Sequence, residues 1–175
     1  MCIRDSAESW EPFGERQWRF KLRPGVTWHD GVAFTADDVV FTFARARNVP
    51  NSPGGFGGFL RNIETVEAED DLTVLLSTHQ PTPTLPGEVA NIAIVSRHVG
   101  DGADTADYNS GKAAVGTGAF RYSSFRQGDQ VVLERNPDWW HGEVAWDRAT
   151  YRMIGNNSSR TTAILARDVD IIDVP

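Results

Sequence analysis

The chain has 175 residues, 40% of them hydrophobic and 23% charged, an ordinary globular composition with enough length to bury a core. Its net charge of −7 lacks the basic footprint that nucleic-acid binding needs, so no nucleic-acid partner is expected. A single cysteine, Cys2, excludes an intrachain disulfide, and no apolar run reaches the roughly 18 residues of a membrane helix.

Trp18, Phe20 and Leu22 alternate with Arg19, Lys21 and Arg23, which predicts a half-buried strand. Pro24-Gly25 turns it, Val26-Thr27-Trp28 reads as a short return strand, and Asp30-Gly31 is a second turn. A helix follows, capped at Thr35, with Asp37 and Asp38 in the first turn near the positive helix end. Phe34 before the cap is placed to staple onto Val39. The expected buried face is Val39, Val40 and Phe43, and the helix should stop near Arg47. Ile63 to Ala68 and Leu72 to Ser77 predict a hairpin around Asp70-Asp71. Pro81 to Pro86 should break regular structure, with a helical turn at Glu88 to Ala90 and a short buried strand at Ile92 to Val95. Gly100 to Lys112 reads as a polar loop. A second hairpin is expected from Ala119 to Phe125 and Gln130 to Arg135. Asn136 to Trp140 then forms an aromatic turn, and Ala149 to Ile154 a strand. A helix capped by Ser158 or Ser159 should run through Ala166, before a final strand at Val169, Ile171 and Ile172.

No enzyme constellation emerges. Neighbouring carboxylates on a helix point about 100° apart, so Asp37 and Asp38 read as helix-end stabilisers rather than a general acid/base pair. The histidines, His29, His79, His98 and His141, show no metal-ligand spacing. His29-Asp30 is better explained as the start of a turn than as a catalytic dyad. Neither Gly116-Thr117-Gly118 nor Gly54 to Gly58 completes a phosphate-binding signature. Asp168, Asp170 and Asp173 lack calcium-loop spacing. No catalytic residue, metal or cofactor is expected. Phe56, Phe59 and Leu60 lie in a Gly-rich loop, either as core plugs or as ligand contacts, and burial statistics favour the core. Of Trp139 and Trp140 at least one should pack, and Trp10, Trp18, Trp28 and Trp146 read as structural.

Several blocks, in order, resemble a known family. The run Trp18 to Gly31, followed by Phe34-Thr35-Ala36-Asp37-Asp38-Val39-Val40-Phe41, closely resembles the opening block of family 5 extracellular solute-binding proteins. Ile63 to Val74 resembles that family's hairpin with an acidic turn. Ile94-Val95-Ser96-Arg97 is similar to its short buried strand, with Ser96 and Arg97 where Pro and Lys are commoner. Val115 to Phe120 resembles its G-T-G-P-[FY] block, and Leu133 to Trp140 its R-N-P-x-Y-W block. Ala163 to Pro175 is similar to its helix and strand, with Arg167-Asp168 where Gly-Glu is usual.

The resemblance implies receptors of bacterial ABC importers for peptides, dipeptides or nickel. The implied fold is α/β (mixed α+β), periplasmic-binding-protein type II-like, an incomplete first lobe with mixed sheet and hairpins. Residues 1–6 match nothing in the family and are expected to be a remnant. Residues 7–115 would form one lobe I subdomain and 116–175 part of the core sheet subdomain, with the second lobe absent. The implied function is capture of extended oligopeptides or dipeptides outside the inner membrane and delivery to ABC permease subunits. The complete protein is expected to be a periplasmic or cell-surface monomer. Implied ligand contacts are Gly55, Phe56, Gly57 and Phe59 in the loop, with Asn91 and Ile92. The alternatives are a sugar, opine or nickel-complex ligand within the family, a secreted polysaccharide hydrolase, and a free-standing interaction module.

Overall fold

A computed structural model describes residues 3–47, 49 and 56–173. The helical turn α1 (Ile3–Ser6) leads into β1 (Ala7–Pro12) and β2 (Gln17–Leu22). Helix α2 (Ala36–Arg47) precedes the hairpin of β3 (Ile63–Asp70) and β4 (Thr73–Thr78). These strands make an antiparallel sheet in the order β1-β2-β4-β3. Trp18 pairs with Leu76 and Phe20 with Val74, and residues directly opposite share a face. The alternation therefore puts Phe20, Leu22, Val74 and Leu76 on the buried side. The other face is polar, and Arg19 forms a two-bond ion pair there with Glu69, at 2.6 and 2.8 Å. Strand β1 has no sequence signal, because Ala7-Glu8-Ser9-Trp10-Glu11-Pro12 has no clear alternation; pairing with β2 makes it a strand. Ser6, at the end of α1, is buried, and its carbonyl accepts from the Arg23 N–H at 2.8 Å.

The predicted return strand at Val26-Thr27-Trp28 is a single bridge, Thr27 to Ala33, within a tight loop. Val26 and Trp28 are buried without a ladder. Gly25 and Gly31 take φ of +74° and +86°, which turn the chain where a Cβ would be strained. Helix α2 ends at Arg47 as the composition requires and packs across β3 and β4. Its buried face is Ala36, Val39, Thr42, Phe43 and Ala46, with Val40 only half-buried.

Asp38 departs most from its expected role. It is 4% exposed and accepts from three donors: Trp28 Nε1 at 3.0 Å, Thr35 N–H at 3.0 Å and Arg97 N–H at 2.8 Å. The reach back to Thr35 is half of a capping box. The other two bonds tie the helix start to the preceding loop and to a segment 59 residues away. Asp37 faces solvent and pairs with Arg97 Nη1 at 2.7 Å.

Between the sheets the chain is mostly short helices. Helix α3 (Leu85–Val89) begins inside the proline-rich stretch, since Pro86 fits a first helical turn, where its missing N–H costs nothing. Ile92 and Ile94 are buried as expected, but Ile92 to Val95 is not a named strand. The Thr42 hydroxyl holds that segment by accepting from Val95 N–H at 3.0 Å. Helix α4 (Arg97–Gly100) follows. The predicted polar loop contains α5 (Thr105–Asn109), where Asp104 and Asp107 complete a reciprocal capping box.

The second sheet is antiparallel in the order β5-β6-β7, from β5 (Phe120–Arg126), β6 (Gln130–Arg135) and β7 (Arg148–Arg152). Both predicted strands of the hairpin and the third strand are present. Helix α6 (Asn157–Leu165) is capped by Asn156, whose Oδ1 accepts from Ser159 N–H at 3.0 Å, rather than by Ser158 or Ser159. The predicted strand at Val169 to Ile172 does not form: no neighbour pairs with it among the described residues, and Ile171 is exposed. Alternation needs a ladder partner before it becomes a strand.

One residue of the first unit, the four-stranded sheet with α2 and their loops, reaches the segment that enters the second sheet. The His29 backbone N–H donates to Gly116 O at 2.8 Å. Its ring Nδ1 lies 3.2 Å from Gly116 N and its Nε2 3.0 Å from Gly118 O. Burial holds the His29 ring below its ordinary value of 6.5; the Gly118 carbonyl opposes that shift and Arg121 adds to it.

Candidate ligand-binding surface

A single 3-10 turn, Phe56–Gly58, starts the surface, and its backbone closes through Phe59 N–H to Phe56 O at 3.0 Å and Leu60 N–H to Gly57 O at 3.2 Å. Residues three apart eclipse on such a turn, so Phe56 and Phe59 lie on one side. Each is 44% exposed. Leu60, one step further round, is buried in the core. The core reading of these loop residues therefore holds for Leu60 and fails for the two phenylalanines. Gly57 has open space where a Cβ would stand. Gly55 lies outside the described residues.

The turn is tied to α3. Asn62 Nδ2 donates to Glu88 Oε2 at 3.3 Å, and the Thr84 hydroxyl donates to Glu88 Oε1 at 2.7 Å. At the C-terminal end of α3, Asn91 is exposed and its Nδ2 lies 3.4 Å from Glu88 O. Ile92 is 2% exposed, so its side chain belongs to the core and only its backbone borders the surface. Phe56, Phe59 and Asn91 are thus the expected contacts that offer side chains to solvent.

Concavities elsewhere do not include these residues. One open cleft of about 410 Å³ lies over Gln17, Thr65 and Ser77 on the polar sheet face. Another, of about 570 Å³, is lined by Arg121, Glu134, Arg135 and Arg148. Arg135 is already engaged with Asp147 at 2.7 Å.

A hydroxyl, an imidazole and a carboxylate do line up. Ser96 Oγ is 2.6 Å from His98 Nδ1, and His98 Nε2 is 2.6 Å from Asp30 Oδ2. Ser96 is 1% exposed, so its hydroxyl cannot meet a substrate. The three groups join the Asp30 turn to the start of α4. Among the described residues no group of three or more His, Cys, Asp or Glu side chains could hold a metal ion.

The aromatic turn after β6 is also mainly structural. Trp139 and Trp140 meet edge to face at 6.0 Å, and Arg23 lies over the Trp140 ring at 4.5 Å. Trp140 packs on the main core, as one of the pair was expected to. Trp18 also packs there and Trp28 is buried, but Trp146 is 71% exposed, against its structural reading. Sequence reasoning missed the long-range roles of Asp38 and His29. Their partners lie 59 and 87 or more positions away, and no local pattern marks them.

The family described as bacterial extracellular solute-binding proteins, family 5, matches residues 3–175. The chain is 29% identical to the oligopeptide-binding protein AppA of Bacillus subtilis over 89% of this chain and 29% of that protein. It is 28% identical to the probable D,D-dipeptide-binding periplasmic protein DdpA of Escherichia coli, over 97% of this chain and 33% of that one. The solved structure of Bacillus subtilis AppA in complex with a nonapeptide superposes with a TM-score of 0.82 at 28% identity, covering 94% of this chain and 34% of that chain. The structure of MoaA from A. tumefaciens with mannopinic acid superposes with a TM-score of 0.83 at 32% identity, covering 95% and 34%. The expected fold class, mixed α+β of the periplasmic-binding-protein type II kind, is borne out by these superpositions. The chain spans about a third of the length of the relatives it matches.

Proposed function

We infer, for a chain that belongs to the family 5 bacterial extracellular solute-binding proteins, that it forms part of the first lobe of an ABC importer's peptide receptor. Residues 7–115 and 116–175 are proposed as its two parts. In this reading a peptide lies extended between two lobes, and its backbone pairs with protein backbone much as an added strand does. Waters in roomy side-pockets adapt to different side chains. Ligand favours the closed form, and closure presents both lobes to a permease outside the inner membrane.

The observation that carries the proposal is the family match across residues 3–175, joined to the exposed pair Phe56 and Phe59. Phe56 and Phe59 would supply apolar contact to peptide side chains, Gly55 and Gly57 close backbone approach, and Asn91 with the Ile92 backbone polar contact. The expected role is binding and delivery, with no catalytic step.

Calorimetric titration of the full-length protein with oligopeptide pools, mannopinic acid and nickel–histidine complexes would test it. Heat with peptides alone supports the proposal. Binding of the opine or the nickel complex without a response to peptides overturns the ligand class while leaving the receptor assignment intact.

A further inference from the structure

Three hydrogen bonds run from His29 to one three-residue segment, Gly116-Thr117-Gly118. They define the state of the ring. A nitrogen that accepts from an N–H carries no proton, so Nδ1 is bare opposite Gly116 N–H. The proton of the neutral ring then sits on Nε2 and is donated to Gly118 O. A second proton would put Nδ1–H against Gly116 N–H, two donors with no acceptor between them.

The segment is shared between the two sheets. Gly118 O also accepts from Asn136 Nδ2 at 3.0 Å, and Asn136 N–H donates to Ala119 O at 2.9 Å. Asn136 directly follows β6, and Phe120 opens β5. His29 thus grips one side of the strip from 116 to 118 while the second sheet holds the other. The approach is close: a Cβ on Gly116 would stand 3.1 Å from His29 Cε1. Thr117, between the glycines, is 4% exposed.

We propose that His29 is a proton-operated latch between the two sheets, whose neutral ring holds Gly116-Thr117-Gly118 by both nitrogens and whose protonation breaks the Gly116 N–H bond and so loosens that grip. The charged side chains that face the ring are Arg121, which disfavours the added proton, and Asp30, which favours it but is engaged with His98. Burial depresses the folded value of His29. All three bonds are therefore present above the ordinary 6.5, and the Gly116 N–H bond to Nδ1 is lost as pH falls through the lower folded value. The latch does not depend on which ligand the protein binds.

The test is an NMR pH titration of the nitrogen-labelled full-length protein. The imidazole nitrogen shifts should show a bare Nδ1 and a protonated Nε2 at neutral pH. As the ring titrates, Gly116 amide protection, corrected for intrinsic exchange, should fall several-fold in step with it. Amides within β2 and β4 should not change. His29→Gln offers an acceptor and a donor without a titrating group, so its Gly116 protection should have no acid step. An Nδ1–H tautomer, titration of His29 with no response at Gly116, or the same acid step in His29→Gln would each overturn the proposal.

Discussion

Asp38 carries more than a first-turn carboxylate needs for the helix end. It satisfies an indole, the N-cap amide and the Arg97 amide while almost fully buried. Asp38→Ala leaves those donors unpaired and should cost about 3 kcal/mol or more, read as a lowered urea midpoint. Asp38→Asn keeps one acceptor oxygen and should fall between. Asp70 acts more locally: the Leu72 N–H first, then the Thr73 hydroxyl, hold its carboxyl below the ordinary 3.8. A depressed carboxyl stabilises above its ordinary value and loses that contribution as pH falls through the folded one. Wild-type protein should therefore lose more stability than Asp70→Asn between about pH 5 and about pH 3 in paired urea titrations. Asp70-Asp71 was readable in advance because its bonds lie within three residues. The bonds of Asp38 to Arg97 and of His29 to Gly118 were not, since they join distant segments.

Among the elements, α2 and the 3-10 turn show opposite fates for aromatics. Phe43 lies 1% exposed against the sheet, while Phe59 stands at 44%. Phe43→Ala should destabilise by about 3–5 kcal/mol through the cavity it leaves. Phe59→Ser should change stability by no more than about 0.5 kcal/mol, as exposed positions do. On the proposed function it should nevertheless weaken peptide binding, so thermal melts and calorimetric titration of both variants separate packing from contact. Gly111 offers a second element-scale test. Its φ is +86°, and a Cβ there would collide with the Tyr122 ring. Gly111→Ala should lower the melting temperature of the full-length protein, whereas Gly128→Ala, with open space at the added Cβ, should cost less because only φ strain remains.

The whole molecule is unevenly packed. The large buried side chains cluster in the first unit, whereas from 120 to 173 Ala163 is the one apolar residue classed as buried among the described residues. The register places Tyr122, Leu133 and Ala149, with Val131 and Tyr151, on one face of the second sheet. Tyr151 is 65% exposed on that face, and Phe125, opposite Val131, is 40% exposed. Uncovered apolar area of this kind attracts partners and dyes. The 175-residue chain should therefore bind an apolar-surface dye; an absence of dye fluorescence would mean that this face is covered in solution.

The hairpins, the extent of α2 and the family were legible in the residues. These depend on period-two alternation, nearby turn residues and motif order, all of which are local. Local pattern could not supply β1, whose six residues become a strand only beside β2. It could not exclude a strand at Val169 to Ile172, which alternates correctly but finds no ladder. Contacts in the folded chain turn Leu60 inward and Phe56 and Phe59 outward, give the cap of α6 to Asn156, and bring His29 to Gly116 and Gly118. Propensity and periodicity say which conformations a segment can adopt, but hydrogen-bond partners and apolar neighbours from distant segments select among them.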